Sequence, residues 1–175
     1  TGRSGSGKSS LINALLNFIP YSGSITATSN AVNHVLQPEN FAVKIQSDHL
    51  FATSIRENLK IGKSDAKDEE LMQALEYVEL ETFVKSLPQG LDTHVGPYGF
   101  NLSGGEKQRL TLARFLLRDA PIVVLDEPFE FLDEAMANRI ALALEKLLVT
   151  KTLIMVSHLP LQLSGESTTL NVSEK

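Results

Sequence analysis

Residues 2–9 read G-R-S-G-S-G-K-S, and no other stretch narrows the possible folds of this chain as far. Gly2, Gly7, Lys8 and Ser9 fit G-x-x-x-x-G-K-[ST], the pattern of a phosphate-binding loop hung between a β-strand and a helix. Gly5 and Gly7 let backbone N–H groups approach phosphate oxygens, and a following helix directs its positive end at the same point. Lys8 can reach the β- and γ-phosphates, and the Ser9 hydroxyl can ligate Mg²⁺. The competing reading is a flexible Gly/Ser terminus that matches by chance, because no strand precedes the loop.

The remaining chain has to supply the fold such a loop needs. At 175 residues it can bury one sizeable core, and 42% hydrophobic with 21% charged residues is ordinary for a globular protein. A net charge of −5 without a Lys/Arg block disfavours nucleic acid as a partner. With no cysteine, disulfide, zinc-thiolate and thiol chemistry are all excluded. No apolar run is long enough to span a bilayer. There is no initiator Met and no leader, so the first residue is expected to lie inside a longer polypeptide.

Periodicity gives the element order. "KSSLINALLNFI" carries apolar residues at helical spacing and is expected to run to Pro20. "SITATS" and "NFAVKIQ" read as short strands. From Ser64, "SDAKDEELMQALEYVEL" has an acidic first turn and a 3.6-residue stripe, and "LETFVKSL" continues as a short helix. Pro88, Gly90, Gly96, Pro97 and Gly99 mark turns. "SGGEKQRLTLARFLLRD" and "DEAMANRIALALEKLL" are helices, each followed by an apolar run expected to be a buried strand, "PIVVLDEP" and "KTLIMVSH"; "STTLNVS" reads as a possible last strand. Strands alternating with helices predict an α/β fold with a mainly parallel sheet. The middle reads as a helical insertion, giving an expected core of 1–46 and 119–175 and a helical subdomain of 47–118.

Three further features carry chemistry. In "PIVVLDEP" four apolar residues end abruptly in Asp126 and Glu127, which places carboxylates where open α/β sheets bind ligands. Asp126 can hold Mg²⁺ and Glu127 can orient or deprotonate water, although a D-E-P turn leaving a core strand is also common. In "LSGGEKQR", Ser103 and Glu106 have capping-box spacing. A structural cap alone would not need Gly104 and Gly105, so this helix start is expected to be a second anion site. One phosphate-loop Lys and two such helix starts are reconciled if the second completes the site of a partner molecule, head to tail. Gln46 and His158 each end an expected strand, where a Gln can bond a metal-bound water and a His can donate to a γ-phosphate oxygen; for a lone His a structural role is the simpler reading. His34, His49 and His94 fit no zinc spacing.

In this order the motifs resemble the nucleotide-binding domain of ATP-binding cassette (ABC) proteins, over almost the whole chain. "GRSGSGKSS" resembles Walker A, Gln46 the Q-loop glutamine and "LSGGEKQR" the signature motif. "IVVLDE" resembles Walker B with its catalytic glutamate, Phe131–Asp133 the D-loop and His158 the switch histidine. "QSDHLFATSIRENLKIG" and "DTHVGPYGFNLSGGE" are similar to exporter segments, and "HLFATSIRENL" most resembles bacterial half-transporters that export thiols and support cytochrome bd assembly. The resemblance implies a RecA-like P-loop NTPase core whose first strand, with its adenine-stacking aromatic, is missing. It implies ATP and Mg²⁺ as cofactors, with Glu127 and His158 catalytic and Ser9, Gln46 and Asp126 organising the metal. Nucleotide contacts are implied for Gly2, Arg3, Ser4, Gly5, Ser6, Gly7, Lys8, Ser9, Ser10, Gln46, Ser103, Gly104, Gly105, Gln108 and Asp133. Implied partners are a second nucleotide-binding domain, head to tail, and a transmembrane domain N-terminal in the same polypeptide, at the cytoplasmic face of the membrane.

Some residues depart from the family pattern. His94 stands where exporters carry an acid, Phe129 replaces the usual Thr after D-E-P, and Glu130-Phe131 replaces small D-loop residues. The segment after His158 lacks the usual arginine. Without the first strand, the 175-residue chain alone is expected to bind ATP weakly and hydrolyse it hardly at all. An importer-type domain and a low-activity regulatory half-site are the alternatives. A DNA-repair or chromosome ATPase is disfavoured by the short Gln46-to-Ser103 spacing.

Overall fold

The computed structural model describes residues 7–29, 32–35, 37–45, 49–96, 98–159 and 161. Its organising element is strand β4 (Ile122–Asp126), every residue of which is buried. β4 lies between β3 (Phe41–Lys44) and β5 (Thr152–Val156) in a three-stranded parallel sheet, with Phe41 opposite Ile122 and Leu125 opposite Met155. Parallel strands covered on both faces read as unbroken apolar runs, and Ile122–Leu125 is one. Successive side chains alternate between faces. Ile122 and Val124 accordingly join a cluster with Ile12, Leu16 and Phe41, whereas Val123 and Leu125 join the larger cluster with the helices.

On the first face lies α1 (Lys8–Leu15). It stops well before Pro20, which was expected to end it. Asn17 takes a left-handed φ of 61°, Phe18 N–H bonds to the Asn13 carbonyl at 2.8 Å and Asn17 N–H to the Ala14 carbonyl at 3.0 Å. This is the glycine-type C-terminal motif, closed by asparagine, whose short polar side chain tolerates the left-handed region. Beyond it β1 (Thr26–Ser29) pairs antiparallel with β2 (Val32–Val35). The segment of β2 carries no strand signal in the sequence, because four residues with two polar ones inside show no usable alternation.

The second face carries α2 (Ile55–Lys60), α3 (Asp68–Tyr77), α4 (Glu81–Ser86), α5 (Gly104–Leu116) and α6 (Glu134–Leu147). Their apolar stripes meet in one core with Leu59, Leu71, Leu75, Leu110 and Leu112 fully buried or nearly so. β5 corrects one expectation: it is only half-buried along Leu153–Val156, and among the described residues its one strand partner is β4. The expected strand "STTLNVS" lies outside the described residues.

Polar side chains lock the segment that precedes α2. Asn58 is fully buried; its Oδ1 accepts from Phe51 N–H at 2.9 Å, and its Nδ2 donates to the carbonyls of Phe51 and Ser54, each at 3.0 Å. Ser54 caps α2 by accepting from Glu57 N–H. Arg56 forks onto Asp92 and Asp68, tying α2 to the Gly90–Asp92 turn and the start of α3. That guanidinium holds the Asp92 carboxyl below the usual carboxylate range.

Removing the Asn58 amide leaves Phe51 N–H without its acceptor and takes one of two bonds from each of the Phe51 and Ser54 carbonyls. Asn58→Ala is therefore expected to lower stability by about 2 kcal/mol, read from the urea midpoint. A loss under about 0.5 kcal/mol contradicts the staple.

Candidate functional site

Both ends of the candidate site start from backbone geometry. Gly7 caps α1 with φ of 91°, a conformation that side-chain-bearing residues avoid, and its carbonyl accepts the first helical bond from Leu11 N–H at 2.9 Å. The first turn of α1 carries no carboxylate, so its positive end is left for an anion. Gly2, Arg3, Ser4, Gly5, Ser6 and Gln46, expected around the phosphates and the metal, lie outside the described residues. Ser10 is exposed on α1 and Lys8 is half-buried at its start.

The next residue of that helix meets the strand end. Ser9 Oγ donates to Asp126 Oδ2 at 3.3 Å, across 117 residues of sequence. Asp126 is the last residue of β4 and is 7% exposed. Two hard oxygen donors converge here, and among the described residues no group of three or more His, Cys, Asp or Glu side chains could hold a metal. That donor set fits Mg²⁺, which favours one or two protein oxygens plus phosphates over an all-protein cage.

Glu127 follows Asp126 with φ of 46°. Its N–H bonds to the Val156 carbonyl at 2.9 Å, and its own carbonyl accepts from Gln108 Nε2 at 3.0 Å. The carboxylate is held twice by one residue: Oε2 accepts from His158 N–H at 3.2 Å, and Oε1 lies 3.1 Å from His158 Nε2. Sequence reading named both residues without pairing them. The available signal was that each ends a strand, and these two strands are adjacent and parallel.

At the other helix start the capping box is present. Glu106 Oε2 accepts from Ser103 N–H and Ser103 Oγ, each at 2.7 Å, while Glu106 N–H donates to Ser103 Oγ at 3.3 Å. Gly105 has a structural reason that the sequence did not disclose. A Cβ on Gly104 would sit 3.4 Å from Phe131 Cγ, and one on Gly105 would sit 3.2 Å from the Phe131 carbonyl oxygen. Bare backbone at Gly105 makes room for the turn carrying Phe131, whereas a Cβ on Gly104 would meet Phe131 only at ordinary contact distance. Gln108 and Asp133, expected at the nucleotide, have bonds within the chain. Gln108 is buried on the Glu127 carbonyl, and Asp133 Oδ1 caps α6 by accepting from Met136 N–H at 2.8 Å. Among the described residues no hydrogen bond joins Ser103 to Ser9, Asp126 or Glu127.

Comparison with known proteins bears on the whole arrangement. Residues 1–130 match the family described as ABC transporter. The Bacillus subtilis glutathione/L-cysteine transport system ATP-binding/permease protein CydD is 40% identical over 164 residues, covering 90% of this chain and 28% of that protein. The Providencia stuartii transport ATP-binding protein AarD is 40% identical over 162 residues, covering 90% of this chain and 27% of that protein. The chain thus spans less than a third of these relatives. The solved structure of a bacterial Atm1-family ABC exporter with ATP bound superposes with a TM-score of 0.78 at 33% identity, over 90% of this chain and 28% of the other.

The capping box should be separable from any ligand role. Ser103→Ala is expected to cost about 1 kcal/mol of unfolding free energy, since the hydroxyl that accepts from Glu106 N–H is lost. An unchanged denaturation midpoint would show that the cap contributes nothing.

Proposed function

The chain belongs to the ABC transporter family, and from that premise we propose that it hydrolyses ATP with Mg²⁺ to power export by a membrane partner. The observation that carries this reading is the Ser9–Asp126 contact, with Glu127 next along the same strand end. It joins the helix after the phosphate loop to the carboxylates of the catalytic strand, so one nucleotide can touch both. Members of the family bind ATP through this domain, and the likeness to a solved ABC exporter supports the direction of transport.

In this proposal the loop of Gly2–Ser10 holds the triphosphate, with Lys8 as the cation on its outer phosphates. Ser9 and Asp126 would hold Mg²⁺, with Gln46 completing the set. The ion, when bound, draws charge from the β- and γ-phosphate oxygens. Glu127 takes the proton of the attacking water. His158 fixes the direction of that carboxylate through Oε1, the base-and-orienter arrangement of general-base sites. Ser103, Gly104 and Gly105 serve the site of a second nucleotide-binding domain, head to tail; Gln108 and Asp133 support those contacts from behind. The strand-end position of these groups supports electrostatic positioning as the main source of acceleration.

The membrane partner is proposed from the relatives named ATP-binding/permease, which are several times longer than this chain. Among the described residues no helix is long and apolar enough to cross a membrane. The chain would then sit at the cytoplasmic face, and thiols such as glutathione or cysteine are the substrates to try first.

Glu127→Gln keeps an oxygen for the His158 contact and removes the base. In the full-length protein that carries this domain, ATP hydrolysis should fall by about 10²–10⁴-fold while ATP affinity stays unchanged. Undiminished turnover would remove Glu127 from this role.

A further inference from the structure

We infer that Glu79, at the corner between α3 and α4, is a positioning residue that fixes the start of α5 against α6 for the ATPase reaction. The inference rests on the ATPase reading above, and it begins from a misplaced side chain. Helix α3 ends in the motif that favours glycine: Leu80 N–H bonds to the Leu75 carbonyl at 2.8 Å and Glu79 N–H to the Glu76 carbonyl at 3.0 Å. Glu79 occupies the left-handed position of that motif with φ of 55°. Glycine is the residue this position favours, and a long side chain there is strained. Local helix chemistry therefore does not account for glutamate.

What the side chain reaches does account for it. The Glu79 carboxylate is gripped by both arms of Arg139, with Nε to Oε1 at 2.7 Å and Nη2 to Oε2 at 2.9 Å. Arg139 lies in the second turn of α6, whose first turn is capped by Asp133 directly after the strand-end turn. From the other side, the Glu79 carbonyl accepts from Arg109 Nη1 at 2.7 Å, and Arg109 Nε lies 3.4 Å from the Gly105 carbonyl. One corner thus links α6 to the first turn of α5, where Ser103 and the two glycines are presented. The neighbouring residue completes the grip, since Gln108 holds the Glu127 carbonyl. The helix is fixed on one side to the corner and on the other to the catalytic strand end.

The energetics favour positioning over stability. Arg139 is 55% exposed and the Glu79 side chain 37%, so solvent screens even this two-armed pair, and its contribution to folding is offset by the strain of a left-handed glutamate. Arg139 holds the Glu79 carboxyl below its usual range, and burial pushes Arg109 down, with Glu106 and Asp133 the other carboxylates facing it. Strain retained without a stability return belongs to sites where geometry matters.

Glu79→Gly separates the two roles, because glycine suits the helix end and keeps the carbonyl for Arg109. The variant should unfold at the same or higher denaturant while kcat for ATP falls roughly 2- to 30-fold with ATP affinity unchanged. Arg139→Ala should lower kcat equally, and the double variant should be no worse than either single one. A second readout does not need turnover. The chain holds no cysteine, so Lys107→Cys on α5 and Lys146→Cys on α6 can carry spin labels. Their distance distribution should broaden in Glu79→Gly. Wild-type kcat together with an unchanged distribution overturns the inference. A full-length wild-type protein carrying this domain that hydrolyses no ATP, yet whose labels spread in Glu79→Gly, overturns the ATPase reading and leaves the positioning link standing.

Discussion

Burial of β4 on both faces is the constraint from which the rest follows. A strand that alternates Ile122 and Val124 to one side with Val123 and Leu125 to the other must be covered twice. The α1 layer does this on one face and the helical region with α6 on the other. The same run cannot continue as core past Leu125, because the next two residues are carboxylates. Asp126 and Glu127 are therefore delivered at the edge of the packed region, close to Ser9 on one side and His158 on the other. The chemistry of the site is a consequence of where the apolar run stops.

Features that depend on a local pattern were legible in the sequence. The uninterrupted apolar run of β4, the stripes of α3, α5 and α6, and the Ser103–Glu106 box all follow from period and spacing. Features that depend on a distant partner were not. The end of α1 turned on Asn17 accepting a left-handed backbone three residues ahead of the expected proline. β2 exists through its pairing with β1, and the exposure of β5 reflects what lies beside it. The turn of Phe131 and Leu132 gives Gly105 a packing reason that no spacing rule contains. The Glu127–His158 bond joins residues 31 apart and was visible only once the strands were laid side by side.

The segment that first suggested the exporter branch has its own physical account. In "ATSIRENL", Ser54 caps the helix, Arg56 forks onto two acids from elsewhere in the helical region, and Asn58 sews the preceding loop to the helix. Three polar residues within five positions each make contacts that a near-isostere would lose. Arg56 reaches Asp92, two residues before His94, the position where the family pattern carries an acid. The helical region is thus braced at this corner by Arg56 and at the opposite end of α3 by Glu79. Both devices hold helix ends, which packing of the apolar stripes alone leaves free to slide.

In the proposed reaction Ser9 and Asp126 form the protein half of one metal–nucleotide site. Mn²⁺ in place of Mg²⁺ makes this measurable by electron paramagnetic resonance on the ATP-loaded protein. If the two oxygens share the ion, Ser9→Ala and Asp126→Asn each weaken Mn²⁺ binding, and the double variant loses less than the sum of the two. Unaltered Mn²⁺ affinity in either single variant, or strictly additive losses, would mean that the two oxygens do not share an ion.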